Sequence, residues 1–470
     1  MTTTFSQFRQ RAKIAIADTR LQQALDTATG NFRTARNRAL AELPDVENLR
    51  DHFKSIRSAT LRQLAHHLET FERNAIAAGA QVHWAKDGAE ACEIVVEIAR
   101  HHGVKSATKG KSMTTEEIHL NRALEAAGVA TVETDLGDFL LQLASETPSH
   151  IIAPAIHKTR QQAAALLSRE SGRPLSPDDL SALTGEARRI LRKRFLAAGM
   201  GISGGNIAVA ETGSVVLVTN EGNGRLVTSV PPVHIAVIGI EKIAPTWDEA
   251  AVWLSLLARS AAGQPLSIYT SIITGPARSD DPDGAKEVHI VLLDNGRSQL
   301  VGTKYEEVLQ CIRCGACLNV CPVYSEAGGH AYSSPYCGPI GAVITPLLFG
   351  LEDYEALPHA SSLCGACKDV CPVRIDLPRM LLELRTDEVT EGVLPWRERK
   401  VEAGMAKVLG HEKLMRFVAG AVRLAQRPFV HDGSLSLPGR LNPVLERRVP
   451  GLAKRAFREM WDAGELEDKR

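Results

Sequence analysis

Cys311-Ile-Arg-Cys314-Gly-Ala-Cys317-Leu-Asn-Val-Cys321-Pro322 is the run from which the rest of the chain can be read. Its C-x₂-C-x₂-C-x₃-C-P spacing is the one that holds cubane iron–sulfur clusters: three thiolates on a short loop grip one cube, and the fourth, turned away before proline, serves a second. Fifty residues on, Ser361-Ser-Leu-Cys364-Gly-Ala-Cys367-Lys-Asp-Val-Cys371-Pro372-Val373 repeats the pattern at every position that matters except the first, where Ser361 replaces cysteine. Crossover of the last cysteine in each run assigns Cys311, Cys314, Cys317 and Cys371 to one cluster and Cys321, Cys364 and Cys367 to the other. The missing corner of the second has three candidates: the Ser361 oxygen, the intervening Cys337, or no protein ligand.

Two alternatives compete. Structural zinc also uses paired C-x₂-C motifs, but a zinc site needs four ligands, whereas seven cysteines here fall in two interlocked runs, both ending in Cys-Pro. Disulfides are disfavoured because the polar N-terminus carries no secretory signal and the cysteines are closely spaced. The ninth cysteine, Cys92, reads as a small buried residue on a helix face.

The 470 residues exceed what one core holds, so several domains are expected. Lysine plus arginine equals aspartate plus glutamate at 55 each, which gives no electrostatic reason to invoke nucleic acid. No apolar stretch is long enough to cross a bilayer, so membrane contact is expected to be peripheral, through a partner. The expected compartment is the cytoplasm.

Outward from the cysteines, residues 1–75 show helical spacing, as at Leu21, Ala24, Leu25 and Leu61, Leu64, Leu68. Residues 76–300 alternate β-branched runs with amphipathic segments, the pattern of a largely parallel sheet covered by helices. Strands are expected at 104–108, 129–133, Ile151-Ile-Ala-Pro154, 206–219 (interrupted by Gly213, as a bulge or a close backbone approach), 233–240, 266–273 and 288–293, and a turn at 220–224. A helix is expected over 114–127, opened by a Thr114/Glu117 capping box. Residues 301–385 form the cluster segment, with too little apolar content to pack without its cubes; 386–470 read as a basic helical tail with Trp396, Trp461 and several prolines.

Thr108-Lys109-Gly110-Lys111-Ser112 lies between a strand and a helix, where amides and two lysines can hold an anion; sequence physics favours an ordinary turn with solvated lysines. Glu133, Asp135, Asp138 and Glu211 stand at the C-terminal ends of strands, the edge where open α/β sheets bind ligands. The glycine-rich 201–205 run precedes a strand and is no phosphate loop.

Together these residues carry a family resemblance. Lys109-Gly-Lys-Ser-Met113, Glu133-Thr-Asp-Leu-Gly137, Ala210-Glu-Thr-Gly-Ser214, the run from Cys311 to Tyr324, Gly328-Gly-His-Ala-Tyr332, Gly338-Pro-Ile-Gly341 and Leu363-Cys-Gly-Ala-Cys367 resemble the lactate utilization protein B family over nearly the whole chain. The resemblance implies a CoA-transferase-like α/β (LUD) domain at 76–300 after a helical arm at 1–75, an α-helical ferredoxin-type two-cluster domain at 301–385 and a helical tail at 386–470. Fold likeness alone grants no transferase activity. It further implies a cytosolic subunit carrying two [4Fe-4S] clusters in a three-component system that oxidises L-lactate to pyruvate. Its partners would be a second cysteine-rich protein and a small LUD-domain protein. The same cysteine assignment carries over, with one departure: where the family is expected to have Pro-Gly-Pro-Ile-Gly, this chain has Tyr336-Cys337-Gly338-Pro-Ile-Gly341, so that Cys337 is peculiar to it or to a subset.

Lactate oxidation removes two electrons, a cube accepts one, and no dinucleotide fingerprint is present, so the oxidising centre is expected on a partner or at an interface. The rival reading makes this chain the enzyme, binding an organic acid near Lys109, Lys111, Glu133 and Asp135 beside the second cluster. A regulatory iron–sulfur sensor lacks a basic recognition helix.

Overall fold

The computed structural model describes residues 3–394, 396–431, 433–435 and 449–465. The helical spacing at the start of the chain becomes four helices: α1 Phe5–Ala17, α2 Thr19–Ala41, α3 Val46–Arg62 and α4 Leu64–Ala77. Local chemistry starts them, as where Thr4 and Gln7 form a reciprocal capping box on α1. The buried stripe of α3 is Arg50, Phe53, Arg57, Thr60 and Leu61. Its 3-and-4 spacing is that of a core-facing helix, with two arginines built into it.

The α/β region follows as β1 Gln81–Ala85, α5 Gly88–His101, β2 Ser106–Lys109, α6 Met113–Glu117, α7 Leu120–Ala126, β3 Ala130–Glu133, α8 Leu136–Ala144, α9 Arg160–Ser171, α10 Leu180–Ala197, β4 Met200–Ser203, β5 Ile207–Val209, β6 Ser214–Thr219, α11 Asn223–Ser229, β7 Val233–Gly239, β8 Ile243–Ala244, α12 Trp247–Ala262, β9 Tyr269–Ile273 and β10 Glu287–Leu293. Six strands form one parallel sheet in the order β1-β10-β7-β4-β2-β3. Every residue of central β7 is buried, which is why its sequence is apolar but for His234 rather than alternating. A smaller sheet, β8-β5-β6-β9, lies beside it.

Four expectations change. Ile151–Pro154 is a turn, because the His150 Nδ1 accepts the amides of Ile152 and Ala153 (3.1 Å each) in place of a strand ladder. The helix over 114–127 is two helices, broken where His119 enters the left-handed region (φ 54°). Its N-cap is Ser112, whose hydroxyl accepts from the Thr115 amide, because Glu117 is drawn away into a buried ion pair described below. Residues 206–219 form an antiparallel hairpin, β5 with β6. At its Gly213 (φ 65°) an added Cβ would stand 2.1 Å from the Ala75 nitrogen, so the close backbone approach is the reason for glycine there. The turn expected at 220–224 runs directly into α11.

The cysteine segment folds as short helices: α13 Ala316–Asn319, α14 Pro322–Ala327, α15 Gly338–Phe349, α16 Ala366–Val370 and α17 Leu377–Thr390. It supplies only part of its own core. Leu318, Tyr324, Ile340 and Val373 pack in one cluster with Leu25 of α2, Phe53 of α3 and Trp253 of α12. The helical arm and α12 together thus provide apolar surface that the segment lacks.

The chain divides into two compact units between Val393 and Leu394. The second contains α18 Trp396–Leu409, α19 Glu412–Gln426, a three-stranded sheet of β11 Val430–His431, β12 Ser434–Leu435 and β13 Val449–Pro450, and α20 Phe457–Asp462. The expected prolines at 395, 438 and 443 lie outside the described residues.

Candidate iron–sulfur site

The two cysteine runs share a backbone fold. Arg313 and Gly315 (φ 58° and 75°) flank Cys314 in the left-handed region, and Leu363 and Gly365 (φ 55° and 86°) flank Cys364 in the same way. A glycine after each of these cysteines lets the chain reverse so that the next cysteine faces the same space. Amides then point at sulfur: Arg313 donates to Cys311 Sγ (3.4 Å) and Tyr324 to Cys321 Sγ (3.5 Å).

Cys311, Cys314, Cys317 and Cys371 line one pocket, closed by Ile340, Val373 and Leu377. Burial, then Cys371 and Cys311, push the Cys314 thiol up to about 12. Cys317 is pushed well up by burial, then by Cys311, Cys314, Cys367 and Cys371. Its sulfur therefore feels both runs. Cys321, Cys364 and Cys367 form a second group: burial, then Cys321 and Cys364, raise Cys367 to about 12. Such convergence of thiols that repel one another as thiolates calls for a cationic centre, and iron supplies it.

The first group is wrapped in buried cations. Arg50 donates from Nε and Nη2 to the Cys371 carbonyl (3.2 and 2.8 Å), and Arg36 to the Val370 carbonyl (2.7 Å). Lys242 donates to the Cys311 carbonyl (2.7 Å). Arg57, fully buried against the Trp253 ring (4.3 Å), donates to the carbonyls of Ile243 (2.8 Å) and Leu309 (3.1 Å). Arg313 reaches Glu241 (3.4 Å) and lies over the Tyr336 ring (4.8 Å).

Glu241 continues inward to Arg297 (2.7 Å), which pairs with Glu117 (2.7 Å); all three are buried. Glu117 also accepts from the Tyr336 hydroxyl (2.5 Å) and Asn295 (2.7 Å). Burial alone would raise both carboxyls; Arg297 outweighs it for Glu117, and Arg297, Lys242 and Arg313 hold Glu241 at about 2. This network, absent from the sequence reading, ties the end of α6 and the ends of β7 and β10 to the cysteine loop.

In the second group Cys321 and Cys367 are buried and one position is open. Cys364 is exposed, and amide donation from Ala366, then the Ser362 hydroxyl, lower its pKa. Ser361 Oγ accepts from the Leu363 amide (3.1 Å) within the same loop. Cys337 sits at the N-cap of α15, donating to the Ser149 carbonyl (3.5 Å). Burial pushes its thiol to about 12, and the charge that acts on it is Lys111 rather than another thiol. Cys92 donates to the Ile118 carbonyl (3.4 Å), and burial pushes it to about 11.

Of the anion candidates, Lys109 is buried and paired with Glu116 (2.9 Å) and Glu133 (2.8 Å). Lys111 is half-buried among Asp138, Asp135 and Glu221, and burial lowers its pKa. Asp135 and Glu211 serve as local acceptors, Asp135 for the amides of Gly137 and Asp138, Glu211 for that of Trp247.

Comparison with known proteins matches this architecture. Residues 68–293 match the LUD domain family and residues 307–375 the 4Fe-4S dicluster domain family, so the chain is a LUD-domain protein with two [4Fe-4S] clusters. It is 43% identical to "Lactate utilization protein B" of Shouchella clausii over 98% of this chain and 97% of that one. It is 42% identical to the protein of that name from Bacillus subtilis, with 98% and 97% covered, and 44% identical to that of Geobacillus kaustophilus, with 90% and 89% covered. The chain belongs to the lactate utilization protein B family.

Proposed function

We propose that this chain is the electron-transfer subunit of a system oxidising L-lactate to pyruvate. The observation that carries the reading is the pocket lined by Cys311, Cys314, Cys317 and Cys371, with Cys367 of the second group also acting on Cys317. We assign Cys311, Cys314, Cys317 and Cys371 to cluster one and Cys321, Cys364 and Cys367 to cluster two. Each cluster, when bound, stores one electron.

The residues of the chain set the terms. Arg36, Arg50, Arg57, Arg313 and Lys242 offset the negative charge of the cluster-one thiolates, and the apolar wall of Ile340, Val373 and Leu377 excludes water. The cations raise the preference for the reduced state at that end, while exclusion of water works against it, because the reduced cube carries the larger negative charge. Exposed Cys364 marks cluster two as the end open to a redox partner. The partners we propose are the cysteine-rich protein and the small LUD-domain protein of the same system, with lactate oxidised on or against one of them.

The rival reading, an organic acid bound by this chain, loses ground. Lys109 is already neutralised by two carboxylates, and the three carboxylates around Lys111 work against an anionic guest. The test is anaerobic mixing of the cluster-loaded chain with L-lactate, alone and with both partners. The relay reading expects cluster bleaching only with the partners present. Bleaching by lactate alone would make the chain the enzyme, and no bleaching with the full set would sink both.

A further inference from the structure

At the far edge of the parallel sheet, three side chains converge without satisfying one another. Glu287 opens β10, and His289, two residues on, points to the same face. His102, the C-cap residue of α5, comes over them. The His102 Nε2 to Glu287 Oε2 distance is 3.5 Å and His289 Nε2 to Glu287 Oε2 is 3.8 Å. All three ligand atoms lie within 4.8 Å of one another. Two ligands about 2.0–2.1 Å from a tetrahedral Zn²⁺ stand ~3.3–3.4 Å apart, so these separations are close to those of a metal site and too long for good hydrogen bonds.

A second observation points the same way. His289 is 4% exposed, yet its Nε2 has no hydrogen-bond partner. Its other nitrogen, Nδ1, is 3.1 Å from Nε2 of His83 on the neighbouring strand β1. With the Nδ1 proton donated to His83, the Nε2 lone pair faces Glu287 and His102. That is how a hydrogen-bonded second histidine fixes the tautomer of a metal-binding one. Gln81, also on β1, donates to Glu287 Oε2 (3.4 Å) and steadies the carboxylate.

We propose that His102, Glu287 and His289 form a site for Zn²⁺ or a similar borderline divalent cation, with His83 as a positioning residue. Two imidazoles and a carboxylate suit zinc and leave a fourth position for water. The metal would clip the end of α5 to the sheet edge formed by β1 and β10. It is separate from the iron and from the lactate reading.

The test uses the full chain with both clusters assembled, so that the cysteines are occupied, titrated with zinc sulfate against a fluorescent chelator. One high-affinity zinc per chain is expected, with a nitrogen and oxygen shell and no sulfur at the zinc X-ray absorption edge. His102→Ala and Glu287→Gln, at partly exposed positions, should weaken binding by more than the roughly 10–100-fold expected for His83→Phe, whose loss removes only the supporting partner. Iron content and cluster spectra should not change. Equal zinc affinity in wild type and all three variants, a sulfur shell, or no tight zinc in wild type would each overturn the site.

Discussion

The two cysteine groups have nearly the same loop, but equivalent positions in it, Cys314 and Cys364, have opposite surroundings. Cys314 is buried and its thiol pushed up, in a pocket it shares with Cys371, whose carbonyl is held by Arg50 of α3; Cys364 is exposed, its thiol pulled down by local donors. One backbone motif thus carries equivalent cysteines, Cys314 in the core and Cys364 at the surface. The difference lies in what packs against each loop, not in the loop itself, and it should set both potential and lability.

The largest expected contrast is between Cys314→Ser and Cys364→Ser. The first should cost cluster one and much of the fold, because cations and apolar walls are left around an incomplete site; iron analysis and thermal unfolding read both losses. The second should remove about half the iron while the unfolding midpoint stays close to wild type. Equal destabilisation by the two would break the distinction between core and surface.

Next in size is Arg297→Met. It strands Glu117 and Glu241 as buried, underpaired carboxylates and should cost about 3–5 kcal/mol in denaturant unfolding. Both carboxyls are depressed in the folded state, so their contribution is present above the ordinary carboxylate value of about 4.3 and is lost as pH falls toward about 2, the Glu241 value. Wild type should therefore lose stability across that window on acidification, and the variant should show a shallower slope there. An unchanged slope would mean that the pair is not what acid unfolds.

Arg50→Gln sharpens the electrostatic half of the comparison. Removing one cation from the Cys371 carbonyl should lower the potential of cluster one and leave that of cluster two in place, as read by EPR-monitored redox titration. A parallel shift of both would assign the effect to global structure. The smallest effect is expected for Cys337→Ser, which alters a thiol bonded to Ser149 and should leave both cluster signals intact. Loss of cluster two in that variant would instead make Cys337 its fourth ligand; persistence there and in Ser361→Ala would mean that neither side chain is required.

The sequence made the cysteine groups legible because their spacing is local and repeated, and the parallel strands because buried β-branched runs are continuous, as in β7. The buried charges were not legible. Arg36, Arg50 and Arg57 lie on helices where arginine usually faces water, and their partners are carbonyls more than 180 residues away. The one available signal was that Arg50 and Arg57 occupy the apolar stripe of α3 with Phe53 and Leu61. His119 and His150 misled for a related reason: a single side chain or left-handed residue ended an element that periodicity alone would have continued.

The grip of Arg50 on the Cys371 carbonyl spans 321 residues of chain. During synthesis at about 5–20 residues per second, α3 leaves the ribosome tens of seconds before the loop it holds. Until then Arg50 has no Cys371 carbonyl to bind and, on the assignment proposed above, cluster one lacks its last thiolate. Iron insertion at that site must therefore be a late event in the life of the nascent chain, and truncation anywhere before Cys371 should yield a protein that never completes its first cluster.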